Sequence, residues 1–269
     1  MSSLRWAVKI YYDGSDFRGY ARQPTGCTVE DHLIAALQRL SIIKAPSESH
    51  FISASRTDKG ASALGNVVAF TGEASSLRLG QLNHELKWRI IAWAYARVPA
   101  DFNPRKAALY RRYLYADYYH GEDLSLMYKA ANMVNKAGVV RFKSGGAGLV
   151  LSAAVASSGQ AVLLDVRVKW AMRGFIRRLW AAIKSVGAGK VTIEEFSRII
   201  SGELEFSSFS PPDGLLLLDV ALPIKLTVDR YSLLQLLKRL HGKIRLHNTL
   251  HVLARIQRDS LARAMASLT

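Results

Sequence analysis

Cysteine is almost absent from this sequence, whose 269 residues contain a single one, Cys27. One thiol cannot form a disulfide within the chain, and the cysteine pairs that hold zinc or iron are excluded. Long apolar runs are missing too. No stretch approaches the roughly 18 apolar residues of a membrane-spanning helix, and the first residues carry no apolar signal core. We therefore expect a soluble cytoplasmic protein without a membrane partner, since the cytoplasm is a reducing compartment.

Acidic residues are also scarce, with 21 Asp and Glu against 37 Lys and Arg, and the formal net charge is +16. The cations are scattered along the chain rather than gathered in a tail. An excess of this size indicates a polyanionic partner, most simply nucleic acid, although a generally basic proteome would also explain it. Hydrophobic residues make up 49% of the chain, enough for the core of one large or two ordinary domains.

Strand-like and helix-like periodicities alternate along the chain, which predicts an α/β or α+β fold. We place a boundary near residue 105, so that residues 1–105 and 106–269 form two α/β halves. The first half begins with a strand in which Trp6, Val8 and Ile10 alternate with other residues. The second half ends in a helical tail after about residue 222.

Two further elements in the second half bear on the candidate site. A strand is predicted from Lys106 to Tyr119, and a helix from Met172 to Val186 that is closed by Gly187.

The segment Arg56-Thr57-Asp58-Lys59-Gly60 lies between two strand-like apolar runs. This spacing places Asp58 on a tight loop, two residues after a cation and two before a glycine. A carboxylate near an arginine is expected to be ionised, and on a rigid loop it can serve as a nucleophile or a base. An ordinary surface turn is the alternative, because Asp-Lys-Gly is common in turns.

A second constellation is Arg111-Arg112-Tyr113-Leu114-Tyr115. In a strand, Arg111, Tyr113 and Tyr115 share one face. An aromatic ring between guanidinium groups suits the stacking of an unpaired base and the binding of its phosphate. The alternative is a sheet core with an arginine extended along it.

Arg173 and Arg177 are four residues apart, which places them on one face of the predicted helix. Two cations at this spacing repel each other unless an anion lies nearby. They could hold a phosphate or a catalytic carboxylate, or they could simply lie on a solvated face. The seven histidines do not fall at metal-ligand spacings, and no dinucleotide fingerprint is present, so neither a metal nor a cofactor is predicted.

Several motifs, in this order, resemble those of the TruA-type tRNA pseudouridine synthases. The first is the loop Tyr12-Asp13-Gly14-Ser15-Asp16-Phe17-Arg18-Gly19-Tyr20, and the second is Ser55-Arg56-Thr57-Asp58-Lys59-Gly60-Ala61-Ser62-Ala63. Phe102-Asn103-Pro104-Arg105 and Arg111-Arg112-Tyr113-Leu114-Tyr115 follow. Later come Phe175-Ile176-Arg177, the turn Val186-Gly187-Ala188-Gly189-Lys190, and a strand over Gly214–Val220. The resemblance covers roughly residues 5–222.

The resemblance implies a pseudouridine-synthase fold in which two similar halves share a mixed, mainly antiparallel sheet flanked by helices. It implies a homodimer that isomerises uridine to pseudouridine in the anticodon stem-loop of tRNA, around positions 38 to 40. Asp58 would be the catalytic carboxylate and Arg177 its ion-pair partner. Tyr113 would stack on the extruded uracil and help to remove the C5 proton. RNA contacts would come from Arg18, Arg22, Arg56, Arg105, Arg111 and Arg173. The reaction is an isomerisation and would need neither a cofactor nor a metal.

The sequence departs from the family pattern at Lys59, Ala61 and Ser62, where Ala, Val and His are usual. A non-catalytic RNA-binding protein with the same fold is therefore an alternative. A second alternative is a nucleotide hydrolase that uses Asp58. Such an enzyme would be expected to cluster further Asp residues around a metal, and the sequence does not show them.

Overall fold

The structure is a computed structural model that describes residues 3–73 and 77–266, with side chains described as far as residue 258. Residues 1, 2, 74–76 and 267–269 of the predicted halves lie outside this description. The strands are β1 Leu4–Tyr12, β2 Ile52–Ser53, β3 Ser62–Gly72, β4 Ile90–Val98, β5 Tyr110–Tyr118, β6 Val139–Arg141, β7 Ala147–Ser158, β8 Ala161–Ala171, β9 Leu215–Ala221 and β10 Thr227–Val228. The helices are α1 Val29–Arg39, α2 Leu79–Glu85, α3 Pro104–Ala107, α4 Leu124–Ala137, α5 Phe175–Gly187, α6 Ile193–Ser201 and α7 Arg230–Ala266.

The strands of the described residues form one sheet in the order β10-β4-β1-β3-β9-β5-β8-β7-β6, and β2 pairs with β3 beside this path. β3 and β9 run parallel, with Ser62 opposite Leu216, whereas the other pairs are antiparallel. The prediction of a mixed, mainly antiparallel sheet flanked by helices is confirmed. The boundary near residue 105 stays a prediction, because strands on both sides of it belong to the same sheet.

Alternation along the strands decides which side chains the helices cover. On β1, Trp6, Val8 and Ile10 are buried in the main core, as the period-2 pattern predicted. On β5, Arg111, Tyr113 and Tyr115 are likewise buried on one face. There the Tyr115 ring stacks on Trp180 of α5, with centroids 5.6 Å apart. Buried residues on both sides of position 105 belong to one core, and the parallel pair β3–β9 joins strands from the two sides.

Helix ends were predictable where side chains cap them. Thr28 Oγ1 accepts a hydrogen bond from the Asp31 backbone N–H, and the Asp31 carboxylate accepts one from the Thr28 backbone N–H, so α1 begins in a capping box. Thr192 and Glu195 do the same for α6. α4 spans Leu124–Ala137, and its N-cap Asp123 accepts a hydrogen bond from the Leu126 backbone N–H.

The predicted strand from Lys106 to Tyr119 is wrong at its beginning. Asn103 accepts hydrogen bonds from the backbone N–H groups of Arg105 and Lys106, and Pro104 occupies the first helical position, so this segment forms the short helix α3. The strand itself begins at Tyr110.

The predicted helix from Met172 to Val186 is wrong at its beginning, and it extends one residue further than predicted at its end. Gly174 adopts the left-handed conformation with φ of +74°, and α5 begins only at Phe175. Gly187 is still helical, and the left-handed glycine that follows the helix is Gly189, with φ of +68°. Arg173 therefore precedes α5, and the prediction that it shares a helix face with Arg177 is wrong.

The predicted helical tail is a single helix, α7, which returns to the first half of the chain. β10 pairs with β4, and Leu236 of α7 is buried against Tyr11 and Ile91. From residue 244 to residue 258, by contrast, α7 is exposed to solvent. Within the described part of the chain, none of the helices combines the length and the apolar character that crossing a membrane requires.

Candidate active site

Asp58 begins a tight turn immediately before β3. The backbone N–H of Ala61 donates to the carbonyl oxygen of Asp58 at 3.1 Å, which closes a four-residue β-turn. Gly60, the third residue, has φ of +90°, as a type II turn requires. A side chain at this position would also place its Cβ 3.1 Å from Cγ of Pro212. The backbone of this segment is therefore an ordinary β-turn, as the alternative interpretation expected. The turn is distinguished by the residues that surround it.

The strand that leads to the turn is held by buried polar side chains. Asn66 is fully buried and donates from Nδ2 to the Ser55 carbonyl at 2.9 Å. Arg111 donates twice to the Ala54 carbonyl, from Nε at 3.2 Å and from Nη2 at 2.9 Å. β2 ends at Ser53, so the carbonyl groups of Ala54 and Ser55 form no strand-to-strand hydrogen bonds as part of β2. The bonds from Asn66 and Arg111 hold these two carbonyl groups instead, up to the residue before Arg56.

The loop that follows β1 supports the turn from the other side. Gly14 approaches so closely that a Cβ on it would lie 2.4 Å from the carbonyl oxygens of Gly60 and Ala61. Its N–H donates to Ser62 Oγ at 3.0 Å, and the Tyr12 hydroxyl lies 2.8 Å from Thr57 Oγ1. Only glycine fits at position 14, because the two backbones are in contact there.

Two arginines from the second half reach the Asp58 carboxylate. Arg177 Nη1 lies 3.1 Å from Oδ2, and Arg173 Nε lies 3.1 Å from Oδ1. The side chains of Asp58 and Arg177 are only 14% and 20% exposed, whereas that of Arg173 is 90% exposed. The Arg177 pair is therefore partly shielded from solvent, and the Arg173 pair is open to solvent and easily exchanged.

Arg177 is oriented by its own set of contacts. Its Nε donates to the Ser210 carbonyl at 2.7 Å, and its guanidinium lies 5.7 Å from the centre of the Phe209 ring. The Ser210 N–H in turn donates to the Arg177 carbonyl at 3.2 Å. With Nε held by the Ser210 carbonyl, Nη1 is directed at the Asp58 carboxylate.

Tyr113 is buried beside this ion pair. Its hydroxyl lies 3.0 Å from Ser55 Oγ. Burial raises the pKa of the Tyr113 phenol above its usual value, and the negative charge of Asp58 acts in the same direction. The phenol is therefore uncharged at neutral pH.

The prediction that Arg111 contacts RNA does not fit its position. Its side chain is buried, and its guanidinium donates four hydrogen bonds to the carbonyl oxygens of Ala54, Lys169 and Arg105. Few donors remain for a phosphate, so Arg111 holds three backbone segments together. This is close to the alternative of an arginine in the sheet core.

The remaining predicted cations lie at the surface. Arg56, Arg18 and Arg105 are exposed, and Arg56 belongs to the segment that carries Asp58. Arg22 is exposed as well and pairs with Asp31 at 3.1 Å. Among the residues whose side chains the structure describes, no three His, Cys, Asp or Glu side chains are grouped as metal ligands would be.

The departures from the family pattern that follow Asp58 lie at residues that support the turn and on its solvent side. Ala61 is buried in the core, Lys59 is exposed, and Ser62 Oγ lies 3.4 Å from an oxygen of Asp13. Because Ser62 also accepts the hydrogen bond from Gly14, it links the first loop to β3 at the place where the family usually has histidine.

Sequence reasoning missed the loop Phe209–Asp213, which holds Arg177 and borders Gly60 through Pro212. Two adjacent prolines, Pro211 and Pro212, are the signal that could have indicated a rigid segment there. Its partners are remote in sequence, so its proximity to Asp58 was not predictable.

Comparison with known proteins gives the same family that the motifs suggested. The chain is 32% identical over 252 residues to tRNA pseudouridine synthase A of Methanococcoides burtonii, covering 90% of this chain and 92% of that protein. It is 32% identical to the protein of the same name from Archaeoglobus fulgidus over 269 residues, covering 96% and 98% of the two chains. The chain belongs to the tRNA pseudouridine synthase A family. A third member, from Pyrococcus abyssi, is 35% identical over 233 residues, which is 81% of this chain and 84% of that protein. No protein-family model matches the chain.

The coverage of these relatives extends beyond the motifs quoted above. The Archaeoglobus fulgidus alignment spans nearly the whole chain, whereas the motif resemblance ended near residue 222. The alignment to this family member therefore includes most of α7.

Arg111 and Arg112 are neighbours on β5 and give a matched test of the site's framework. Arg111→Met should lower the free energy of unfolding by about 2 kcal/mol or more, because buried carbonyls lose their donors. Arg112→Met breaks only a partly exposed ion pair with Asp165 and should have a much smaller effect. Urea unfolding followed by circular dichroism measures both, and equal effects would show that Arg111 does not hold these backbone segments together.

Stability at high pH provides a test of the buried phenols. Burial raises the pKa of Tyr113 and that of Tyr115, the latter to about 12. A raised pKa in the folded state means that the stabilisation is complete below the unfolded value of about 10 and is lost as the pH rises through the folded pKa. The free energy of unfolding should therefore decline from about pH 10 upward. Tyr113→Phe should make that decline shallower in urea titrations at pH 9 to 11, and an unchanged slope would contradict a buried, protonated Tyr113.

Proposed function

We propose that this protein converts uridine to pseudouridine in tRNA, with Asp58 as the catalytic carboxylate and the anticodon stem-loop, around positions 38 to 40, as its target. The observation that carries the proposal is the half-enclosed carboxylate of Asp58 at the seam between the halves, paired with Arg177 and beside Tyr113. Family membership supports the reaction, and the motif resemblance supports the target position.

The reaction rearranges one nucleotide without a net change in oxidation state. The bond from C1′ to N1 breaks, the base turns, a bond from C1′ to C5 forms, and the C5 proton leaves while N1 gains one. A carboxylate can promote this by attacking the sugar, by attacking the base, or by removing a sugar proton. All three require an anion held near the extruded nucleotide, and two guanidinium groups stabilise that anion.

Arg173 and Arg177 are suited to different tasks. Arg177 is held by Ser210 and by α5, so we assign it to the orientation of Asp58. The side chain of Arg173 is almost fully exposed, and little is lost when its surface ion pair opens. We assign Arg173 to a phosphate of the bound RNA, which can replace the carboxylate as its partner.

We propose that Tyr113 stacks against the extruded uracil. A planar aromatic ring close enough to Asp58 to feel its charge suits this task, and base extrusion costs a few kcal/mol that stacking partly offsets. Removal of the C5 proton would need the tyrosinate form, which burial disfavours. Of the two roles that the resemblance implied for Tyr113, its environment therefore favours stacking.

The exposed cations are the proposed contacts to the RNA backbone. Arg56, Arg18 and Arg105 are exposed, and Arg22 holds only a surface ion pair, so all four can reach phosphates. The net charge of +16 makes a salt-dependent, sequence-independent contribution to affinity. Arg111 is left out of this set, because its donors are occupied within the protein.

A single exchange of Asp58 tests the catalytic assignment. Asp58→Asn keeps the size of the side chain and removes its charge, and it should slow tRNA isomerisation at least about 10²-fold while tRNA binding persists. Asp101→Asn, which changes an exposed carboxylate, serves as the matched control. Release of tritium from tRNA labelled at uridine C5 measures the reaction, and chemical mapping of the product locates the modified nucleotide.

Each result of that experiment separates the candidates. Equal activity of the two variants would remove Asp58 from the mechanism. Products outside positions 38 to 40 would correct the target while retaining the reaction. A wild-type protein that binds tRNA but releases no tritium would instead be the non-catalytic RNA-binding protein.

We further propose that the protein is a homodimer. The distal half of α7 exposes Leu246, Leu250 and Leu253, which follow one another at helical spacing and form a stripe. A second copy can cover this stripe by the same surface around a twofold axis. Burial of each leucine would contribute about 1.5–3 kcal/mol to association.

Sedimentation velocity across a concentration series tests the homodimer. A double exchange, Leu250→Asp with Leu253→Asp, should raise the dissociation constant at least about tenfold, because charges would be buried at the contact. The control is Asn248→Asp with His251→Asp, which places acidic groups on another face of the same helix. A monomeric wild type, or equal effects of the two double variants, would contradict this interface.

A further inference from the structure

The loop after β1 is tied to the C-terminal helix by an ion pair that the reaction itself does not explain. Asp13 opens this loop, and its side chain is only 9% exposed. One carboxylate oxygen, Oδ1, accepts hydrogen bonds from the N–H and the hydroxyl of Ser15, at 3.1 Å and 2.8 Å. The other, Oδ2, is paired with the ammonium group of Lys243 on α7.

A second ion pair joins the same two elements. Arg239 Nη2 lies 3.2 Å from Oδ2 of Asp16. Arg239 and Lys243 are four residues apart and therefore share one face of α7. Together they hold both ends of the short 3₁₀ turn that begins at Gly14, and the buried Leu236 anchors the helix itself on the sheet.

The loop that these two ion pairs hold is the one that supports the β-turn beginning at Asp58. The Gly14 backbone contacts the carbonyl oxygens of Gly60 and Ala61, and its N–H is bonded to Ser62. A displacement of the 3₁₀ turn would therefore move Gly14 into the backbone of the turn that begins at Asp58, or away from it. In the second case the turn would lose this contact. Lys243 is thus linked to Asp58 in three steps. Lys243 pairs with Asp13, Asp13 is bonded to Gly14 in the chain, and the Gly14 backbone contacts the turn that begins at Asp58.

We propose that Lys243 is a positioning residue for the Asp58 carboxylate, acting through Asp13 and the Gly14 backbone, and that this is the task of the proximal part of α7. The inference rests on the proposed function of Asp58. Lys243 does not contact the carboxylate of Asp58, so it affects the reaction only through geometry. An error of about 1 Å in the position of a reacting group can cost on the order of 10²-fold in rate.

This role differs from a direct contribution to RNA binding. Lys243 is one of many cations on a strongly basic protein, and loss of a phosphate contact would weaken tRNA binding and reduce its salt dependence. Loss of a positioning contact would instead lower kcat while leaving KM nearly constant. The two roles are therefore separated by the split between kcat and KM.

The experiment compares Lys243→Met with Lys238→Met in the full-length protein. Both remove one positive charge from α7, and Lys238 is exposed. Lys243→Met should lower kcat for tRNA about tenfold, with KM within about twofold of that of Lys238→Met. Lys243→Arg, which restores the cation, should recover most of the rate. Asp13→Asn combined with Lys243→Met should be no slower than the slower single variant, because both break the same link.

Hydrogen exchange of the intact protein supplies a readout that does not depend on activity. Lys243→Met should speed exchange at Ala61 N–H and Gly14 N–H, whereas Lys238→Met should not. If Lys243→Met does not fold, Lys243→Gln is measured by the same two criteria.

Two kinds of result would overturn the proposal. One is an unchanged kcat in Lys243→Met, whether or not KM rises, and the other is a set of exchange rates equal to those of Lys238→Met. Absence of isomerisation in the wild type would refute the proposed function instead, and the exchange comparison would still decide whether Lys243 holds the loop.

Discussion

The ion pair between Asp58 and Arg177 joins parts of the chain that are more than a hundred residues apart, and the arrangement of the site depends on it. The carboxylate belongs to a turn between β2 and β3, and the guanidinium belongs to the first turns of α5. They meet because β3 and β9 are adjacent and parallel, which brings the two halves of the sheet together. The seam of the sheet is therefore also the place where the charges of the site meet.

Much of the surrounding structure serves to keep one turn in place. Arg111 and Asn66 hold the strand before it, Gly14 contacts it from the first loop, and Pro212 borders it from the second half. Each contact involves backbone atoms of the turn or of its flanks. Such contacts tolerate little change in side-chain size, which explains why glycine occupies positions 14 and 60.

The cations of the protein fall into two groups with different tasks. Arg111 and Arg177 are mostly buried and satisfy carbonyl and carboxylate oxygens within the protein. Arg56, Arg18 and Arg105 are exposed and account, with many others, for the strongly positive surface. The net charge of +16 includes buried and exposed arginines alike. Composition therefore indicated a polyanionic partner, but it did not indicate which arginines are available to bind that partner.

Periodicity predicted β1 and the helical tail, and capping side chains mark where α1, α4 and α6 begin, because these elements depend on local side-chain patterns. Prediction from periodicity failed where a single residue overrides the periodic pattern. Pro104 with Asn103 turned a predicted strand into α3, and Gly174 delayed the beginning of α5. The motifs also singled out Asp58, Tyr113 and Arg177 as a group, because the family resemblance links them.

The sequence by itself determined the family, the alternation of strands and helices, and the residues from which a site could be built. Only the tertiary structure decided that Arg111 is a framework residue, that Arg173 reaches Asp58 from outside α5, and that α7 returns to the first loop. The physical reason is that hydrogen bonds and ion pairs between distant segments depend on which strands are neighbours. Local patterns specify the elements, and neither propensity nor spacing records the order in which those elements pack.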